Sequence, residues 1–116
     1  MRVSDAMARL RIDENEIASR RAFFELSDDD LSRLSSMRGM AEASSHEVVE
    51  GFYELLLGHR DTRRFFPDDA AVRRVKSLQK SYFLGLFAGR CDVAYVEERL
   101  RVGIAHERIG LEPKWY

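Results

Sequence analysis

The chain has 116 residues, a formal net charge of −1 and 45% hydrophobic residues. This length allows at most one domain, and the near-neutral charge gives no general attraction to nucleic acid or to an anionic membrane surface. The single cysteine, Cys91, excludes an intrachain disulfide and suits a reducing compartment. No apolar run reaches the roughly 18 residues of a membrane span and no secretory signal is visible, so we expect a cytoplasmic protein without membrane insertion.

Capping residues predict several helices in the first half of the chain. A short helix is predicted over Asp13–Phe24. Ser27, which three aspartates follow, is typical of a helix start because its hydroxyl can accept a hydrogen bond from a free backbone amide. Ser44 and Glu47 form a capping box before or within a longer helix that ends at Gly58. Apolar residues recur in that helix at helical spacing, namely Val49, Phe52, Tyr53 and Leu56.

The second half of the chain is also predicted to be helical. A short turn or helix over Asp61–Phe66 is stopped by a proline. The next helix starts at Asp68 and is predicted to end at Gly89. Its inward stripe consists of Val72, Val75, Leu78 (or Gln79), Tyr82 and Leu86. Asp92 caps a last long helix, which Gly110 terminates.

This last long helix has apolar residues on two separate faces. With about 100° per residue counted from Val96, one face lies between about 40° and 80°, whereas His106 lies at about 280°. The residues of the first face are Val93, Leu100 and Ile104, and those beside His106 are Val102, Gly103 and Ile109. Each face has something to bury. The second face would hold an imidazole toward a second apolar body, a description that haem bound through its iron fits.

His106 can also be interpreted as an ordinary histidine near a helix C-terminus, where the helix dipole stabilises it. If a neutral imidazole ligates iron through one nitrogen, the other N–H needs an acceptor, and the carbonyl of Val102 is a candidate. Gly103 costs about 1 kcal/mol relative to alanine in a helix interior. Close approach of a flat macrocycle to the backbone explains this glycine, and so does a helix–helix contact.

The end of the chain resembles a known family. Residues 106–116, HERIGLEPKWY, resemble the proximal region of globin-coupled sensors, which are bacterial haem proteins with a globin fold and an extra N-terminal helix. Residues 51–56, GFYELL, are similar to the family's distal helix motif, and residues 83–89 and 95–99 resemble the segment that precedes its proximal helix. The resemblance extends over residues 15–116 in one order and spacing.

The resemblance implies haem b as the cofactor, His106 as the proximal iron ligand and Tyr53 as the distal hydrogen-bond donor. On its own pattern, Tyr53 could equally be a core tyrosine whose hydroxyl bonds a nearby carbonyl. Leu78 falls at a distal position where some members carry threonine, and it is either a hydrophobic gate or ordinary core. Tyr116 is the implied proximal-side tyrosine. Pocket walls are expected at Phe52, Val75, Tyr82, Val102 and Ile109.

We therefore expect an all-α, globin-like fold with an extra N-terminal helix, lacking most of the last two helices. Residues 1–12 are expected to be a disordered extension and residues 13–116 an incomplete sensor globin domain. Residues 112–116 resemble the opening of a further helix, which Pro113 would begin. Either the chain is a fragment or a partner completes its core, and apolar surface left uncovered would favour a homodimer.

The expected function is a haem-based sensor, not an enzyme, which binds O2 (also CO and NO) reversibly at ferrous haem. It would signal to a downstream module, which in related proteins is a diguanylate cyclase, a histidine kinase or a chemotaxis transducer. A haem-free globin-like regulatory or dimerisation module is the main alternative. A haem enzyme such as a nitric oxide dioxygenase is a second alternative, which the sequence supports less because it shows no reductase segment. The three histidines lack the spacing of a zinc site.

Overall fold

Helices and their connecting turns make up the whole structure, a computed structural model that describes residues Met1–Tyr116. The helices are α1 (Val3–Arg9), α2 (Glu14–Phe23), α3 (Asp28–Ser36), α4 (Arg38–Gly58), α5 (Arg60–Arg63), α6 (Asp69–Gly85) and α7 (Val93–Ile109). A 3-10 turn, Pro113–Trp115, follows α7. None of the helices combines the length and the apolar character needed to cross a lipid bilayer.

Side-chain caps start four of the helices where the sequence predicts helix starts. An oxygen of Asp13, Ser27, Asp68 and Asp92 each accepts a hydrogen bond from the backbone amide three residues further on, at 2.8–3.2 Å. These bonds satisfy amides that have no partner inside the helix. The predicted starts of α2, α3, α6 and α7 are therefore confirmed.

The predicted bounds of α4 and α6 differ from the structure at one end each. Helix α4 already begins at Arg38, so Ser44 and Glu47 lie inside it and form no cap. Residues 38–43 continue the helix because alanine, methionine, glutamate and arginine among them are good helix formers. Helix α6 ends at Gly85, and the predicted end residue, Gly89, adopts a left-handed conformation (φ 74°) in the following loop.

The first twelve residues, expected to be disordered, contain α1. Its residues Ala6 and Met7 are buried, and α1 packs against α7. The amide of Ile12 donates to the Met7 carbonyl at 3.0 Å and closes the end of the helix. Val3, Met7 and Leu10 recur at helical spacing. This periodicity was the sequence signal for an ordered helix.

The chain divides into two compact units. Unit 1 consists of residues 1–31 and 90–116, and unit 2 consists of residues 32–89. The buried apolar residues of unit 1 are Ala6, Met7, Ile17 and Leu31. Within this unit, helix α7 holds no fully buried residue.

Unit 2 is built on the packing of α4 against α6 and α5. Its buried residues are Ala41, Ser45, Val49, Tyr53, Thr62 and Ala71. The Thr62 hydroxyl donates to the carbonyl of Leu56 near the end of α4 and ties α5 to that helix. The Lys76 ammonium on α6 donates to the Glu50 carboxylate on α4 at 2.8 Å and links the two helices.

Candidate functional site

Helix α7 positions His106 one turn before a tightly defined end. Gly110 follows the last helical residue with φ 76°, a left-handed conformation that glycine adopts without a Cβ penalty. The Leu111 amide donates to the His106 carbonyl at 2.9 Å, and the Gly110 amide donates to the Glu107 carbonyl at 3.0 Å. These two bonds close the C-terminus, so the backbone that carries the imidazole is fixed.

The imidazole of His106 is half-buried and has no protein hydrogen-bond partner. Its Nδ1 atom is enclosed without a partner, whereas Nε2 is not enclosed. Burial lowers the pKa of His106 because desolvation disfavours the charged ring. The ring is therefore neutral near pH 7, which is the form that ligates a metal ion.

Two sequence expectations about the surroundings of His106 have different outcomes. The Val102 carbonyl, the expected acceptor for the second ring nitrogen, does not accept a hydrogen bond from the imidazole Nδ1 of His106. Tyr116 does contact the imidazole: the two ring centroids lie 4.3 Å apart at an interplanar angle of 44°. Tyr116 as a whole is 62% exposed.

The remaining predicted residues of α7 frame an open side of the helix. Val102 is half-buried and Ile109 is 53% exposed. At Gly103 an added Cβ would meet no atom within 4 Å. The glycine is therefore not required by a helix–helix contact in this chain, one of the two explanations that the sequence leaves open.

Tyr53 lies in the core of unit 2, on α4. It is 6% exposed, and its hydroxyl donates to the Val75 carbonyl of α6 at 3.4 Å. Burial raises the pKa of the Tyr53 phenol, so it stays a protonated donor. The phenol ring makes edge-to-face contacts with Phe52 and Phe66, at centroid distances of 5.5 and 5.7 Å. This is the arrangement of a core tyrosine with a long hydrogen bond.

The other predicted distal residues differ in their burial and in whether they line a cleft. Phe52 lines a cleft of about 190 Å³ between α4 and α6, together with Val48, Val49, Gln79 and Phe83. Val75 and Tyr82 are half-buried. Leu78 is 64% exposed, and it is Gln79 that lines the cleft. Gln79, and not Leu78, therefore belongs to the inward stripe of α6; the sequence had left both residues open.

Sequence reasoning missed Phe66 and Phe83. Phe66 precedes Pro67 in the turn after α5, and its ring packs against Tyr53. Phe83 closes one side of the cleft and contacts Phe87 at a centroid distance of 5.4 Å. The signal available for Phe83 was its position four residues after Gln79, on the same side of α6.

These residues define the chemistry that the chain can support. No group of three or more His, Cys, Asp and Glu side chains could hold a metal ion. A metal on His106 would thus need further ligands from elsewhere, and a porphyrin supplies four. The haem expected from the sequence fits the neutral imidazole of His106, which has no hydrogen-bond partner in the chain.

An all-α chain with a half-buried, unpartnered histidine in the last turn of its last long helix fits the class of globin-like proteins. The sequence model of the protoglobin family matches residues 13–116, and the chain is a member of that family.

Two similar proteins relate the chain to a narrower group within this family. It is 34% identical over 109 residues to the heme-based aerotactic transducer HemAT of Halobacterium salinarum, covering 93% of this chain and 22% of the transducer. The globin domain of the Geobacter sulfurreducens globin-coupled sensor superimposes with a TM-score of 0.78 at 31% identity, covering 87% of this chain and 64% of that domain. The chain thus spans less than two thirds of either relative. The expected all-α, globin-like fold and the sensor-globin family are confirmed, and the comparisons support a haem-based sensor role.

Proposed function

We propose that this chain is an oxygen-sensing globin domain that holds haem b through His106. The observation that carries the proposal is the His106 imidazole, which is half-buried, neutral near pH 7 and without a protein hydrogen-bond partner on either nitrogen. The family membership and the name of the heme-based aerotactic transducer support the choice of haem. Haem c is disfavoured because its attachment needs two cysteines and the chain has one.

His106 would hold the cofactor by donating the Nε2 lone pair to the iron. Ferrous haem, when bound, supplies an iron that takes up O2, CO or NO reversibly. The closed C-terminus of α7 keeps the imidazole backbone fixed, so that a shift of the ring is passed to the helix. Nδ1 would then need a new acceptor, because the structure leaves it without one.

Tyr53 would act as the hydrogen-bond donor to bound O2. Its present hydrogen bond to the Val75 carbonyl, at 3.4 Å, is longer than the roughly 2.5–3.0 Å of a well-formed O–H···O bond. A buried hydroxyl with so weak an acceptor gains by turning toward a better one. Bound O2 is more polar than bound CO, so this donor would favour O2.

Signalling requires that the liganded and unliganded states differ in their contacts with an output module. Helix α7 carries His106 and packs against α1. A structural change at the imidazole would therefore be transmitted to the rest of the protein through α7. We place the output in a downstream diguanylate cyclase, histidine kinase or chemotaxis module. A homodimer and a cytoplasmic location, which the free Cys91 suits, complete the proposal.

A haem titration of the purified chain tests the proposal. We expect stoichiometric uptake of ferric haem with a sharp Soret band, and loss of that band in His106→Ala. His46→Ala is the matched control, because His46 is an exposed histidine on α4. Equal haem uptake by the His106→Ala variant and the wild type would refute His106 as the ligand.

The haem-free regulatory module remains the second candidate. It is favoured by the contact of the Tyr116 ring with His106 and by the bond of Tyr53 to Val75, both of which give the two site residues partners within the chain. An absence of haem uptake by the wild type would support this candidate in place of the sensor.

A further inference from the structure

Gly103 stands at a position of α7 where nothing within the chain requires a glycine. It is the eleventh of the 17 residues of the helix. Unlike Gly110, Gly103 does not have a positive φ, so a residue of any type could adopt its backbone conformation. A Cβ at this position would meet no atom within 4 Å. Glycine in a helix interior is less favourable than alanine, so Gly103 makes α7 less stable, and no contact within the chain compensates for this loss.

The position of Gly103 relative to His106 suggests what the open space is for. The two residues are three apart and share one side of the helix. Helical side chains lean toward the N-terminus, so the His106 ring covers the preceding turn, in which Val102 and Gly103 lie. Val102 is half-buried, whereas the space beside Gly103 is open.

We propose that Gly103 is a positioning residue that leaves clearance for the porphyrin held by His106. A porphyrin held through Nε2 would need room beside the imidazole, and an added side chain at position 103, on the same side of α7, would take up some of that room. The glycine would therefore make α7 less stable in the empty protein and would let the cofactor come closer to the α7 backbone. The inference rests on the proposed haem ligation by His106 and adds a second determinant of haem affinity.

This proposal makes opposite predictions for the empty and the haem-loaded protein. Without haem, Gly103→Ala is expected to raise the Tm by about 4 °C, because alanine favours the helix and the space is open. With haem, the same substitution is expected to raise the dissociation constant about tenfold, because an added side chain in a filled space is destabilising. Gly103→Leu should weaken haem binding further than Gly103→Ala.

The experiment compares four proteins: wild type, Gly103→Ala, Gly103→Leu and the control Gly39→Ala. Gly39 lies in the first turn of α4, outside the predicted haem site, is exposed and has no atom within 4 Å of an added Cβ. It should show the rise in Tm without the loss of haem. Circular dichroism gives the Tm of each empty protein, and transfer of ferric haem to apomyoglobin gives the relative affinity.

The outcomes separate this proposal from the proposed function. Uptake of haem by the wild type with unchanged affinity in both Gly103 variants would overturn the role of Gly103 and leave the ligand role of His106 intact. A lower Tm for empty Gly103→Ala than for wild type would show that the space is not open, and would also overturn it. A wild type that takes up no haem would overturn both proposals.

Discussion

Tyr53 combines a buried phenol with a hydrogen bond of marginal length. The ring is fixed between Phe52 and Phe66, so only the hydroxyl is free to change its partner. Rotation about the C–O bond redirects the proton without moving the ring. The residue can therefore serve as a core side chain and as a switchable donor at the same time.

For the haem-loaded protein, Tyr53→Phe is expected to raise the dissociation rate of O2 about fivefold, the equivalent of one hydrogen bond of about 1 kcal/mol. The dissociation rate of CO should change much less. Flash photolysis and stopped-flow mixing measure both rates. Tyr95→Phe, which removes a hydroxyl from a ring that packs under Arg99 on α7, is the control and should change neither rate. Equal changes for both gases in Tyr53→Phe would argue against a donor role.

Single residues show where the sequence was sufficient and where it was not. The caps at Asp13, Ser27 and Asp92 were predictable because a cap depends on the three residues that follow it. The exposure of Leu78 was not, because helical spacing allowed either Leu78 or Gln79 on the inner stripe and only the packing of α4 on α6 decides. The unpartnered Nδ1 of His106 likewise depends on neighbours distant in sequence.

At the scale of elements, α7 has a cap at each end. The helix has 17 residues, none of them fully buried, so packing contributes less to it than to α4. Its N-terminal cap is the Asp92 carboxylate, which accepts from the Tyr95 amide at 2.9 Å. Its C-terminal cap is Gly110. The helix that carries His106 thus begins and ends on local hydrogen bonds.

Asp92→Ala is therefore expected to lower the free energy of unfolding by about 1 kcal/mol, the usual cost of losing such a cap. Urea unfolding followed by circular dichroism measures the change. Asp92→Asn keeps an acceptor oxygen and should recover most of the loss. A full loss in the asparagine variant would show that the charge of Asp92, and not its hydrogen bond, stabilises the helix start.

The contact between α4 and α6 predicts a pH effect. The hydrogen bond from the Lys76 ammonium lowers the pKa of the Glu50 carboxyl below its ordinary value, with further attraction from the Lys76 charge. In Lys76→Gln the pKa of Glu50 should return toward that value, as NMR titration would measure. Lys80→Gln, which removes an exposed lysine from the same helix, should leave it unchanged. A lowered pKa that persists in Lys76→Gln would contradict this assignment.

The direction of the accompanying stability change follows from linkage. A carboxyl that is more acidic in the folded than in the unfolded protein binds fewer protons when folded, so stability rises with pH across the interval between the two pKa values. The contribution of Glu50 is present above the unfolded value of about 4.3 and is lost as the pH falls through the lowered value. The pair is partly exposed, so the effect should be small and weaken with salt.

At the scale of the whole molecule, each of the two units has a small buried core. Among the buried apolar residues, Ala6, Ala41 and Ala71 contribute little apolar area. Several large apolar side chains are exposed, including Phe23 at 81% and Phe24 at 75%. A ligand that binds only the folded protein would therefore contribute a large share of its stability.

The global fold was predictable because it depends on the helix succession and on motifs local in sequence. The sequence indicated an all-α, globin-like protein, and the structure and the comparisons agree. The order of residues 1–12 escaped prediction because α1 is short and would be unstable alone. It forms through its contact with α7, some 90 residues further along the chain.

Helix α1 lies entirely outside the stretch that the family model matches, which begins at residue 13. A protein trimmed to that boundary would lack α1, which buries Ala6 and Met7 and packs against the histidine-bearing helix α7. Stability and ligand-binding measurements on such a trimmed domain would then describe a protein that lacks this packing, so the first dozen residues belong in any preparation meant to represent the molecule.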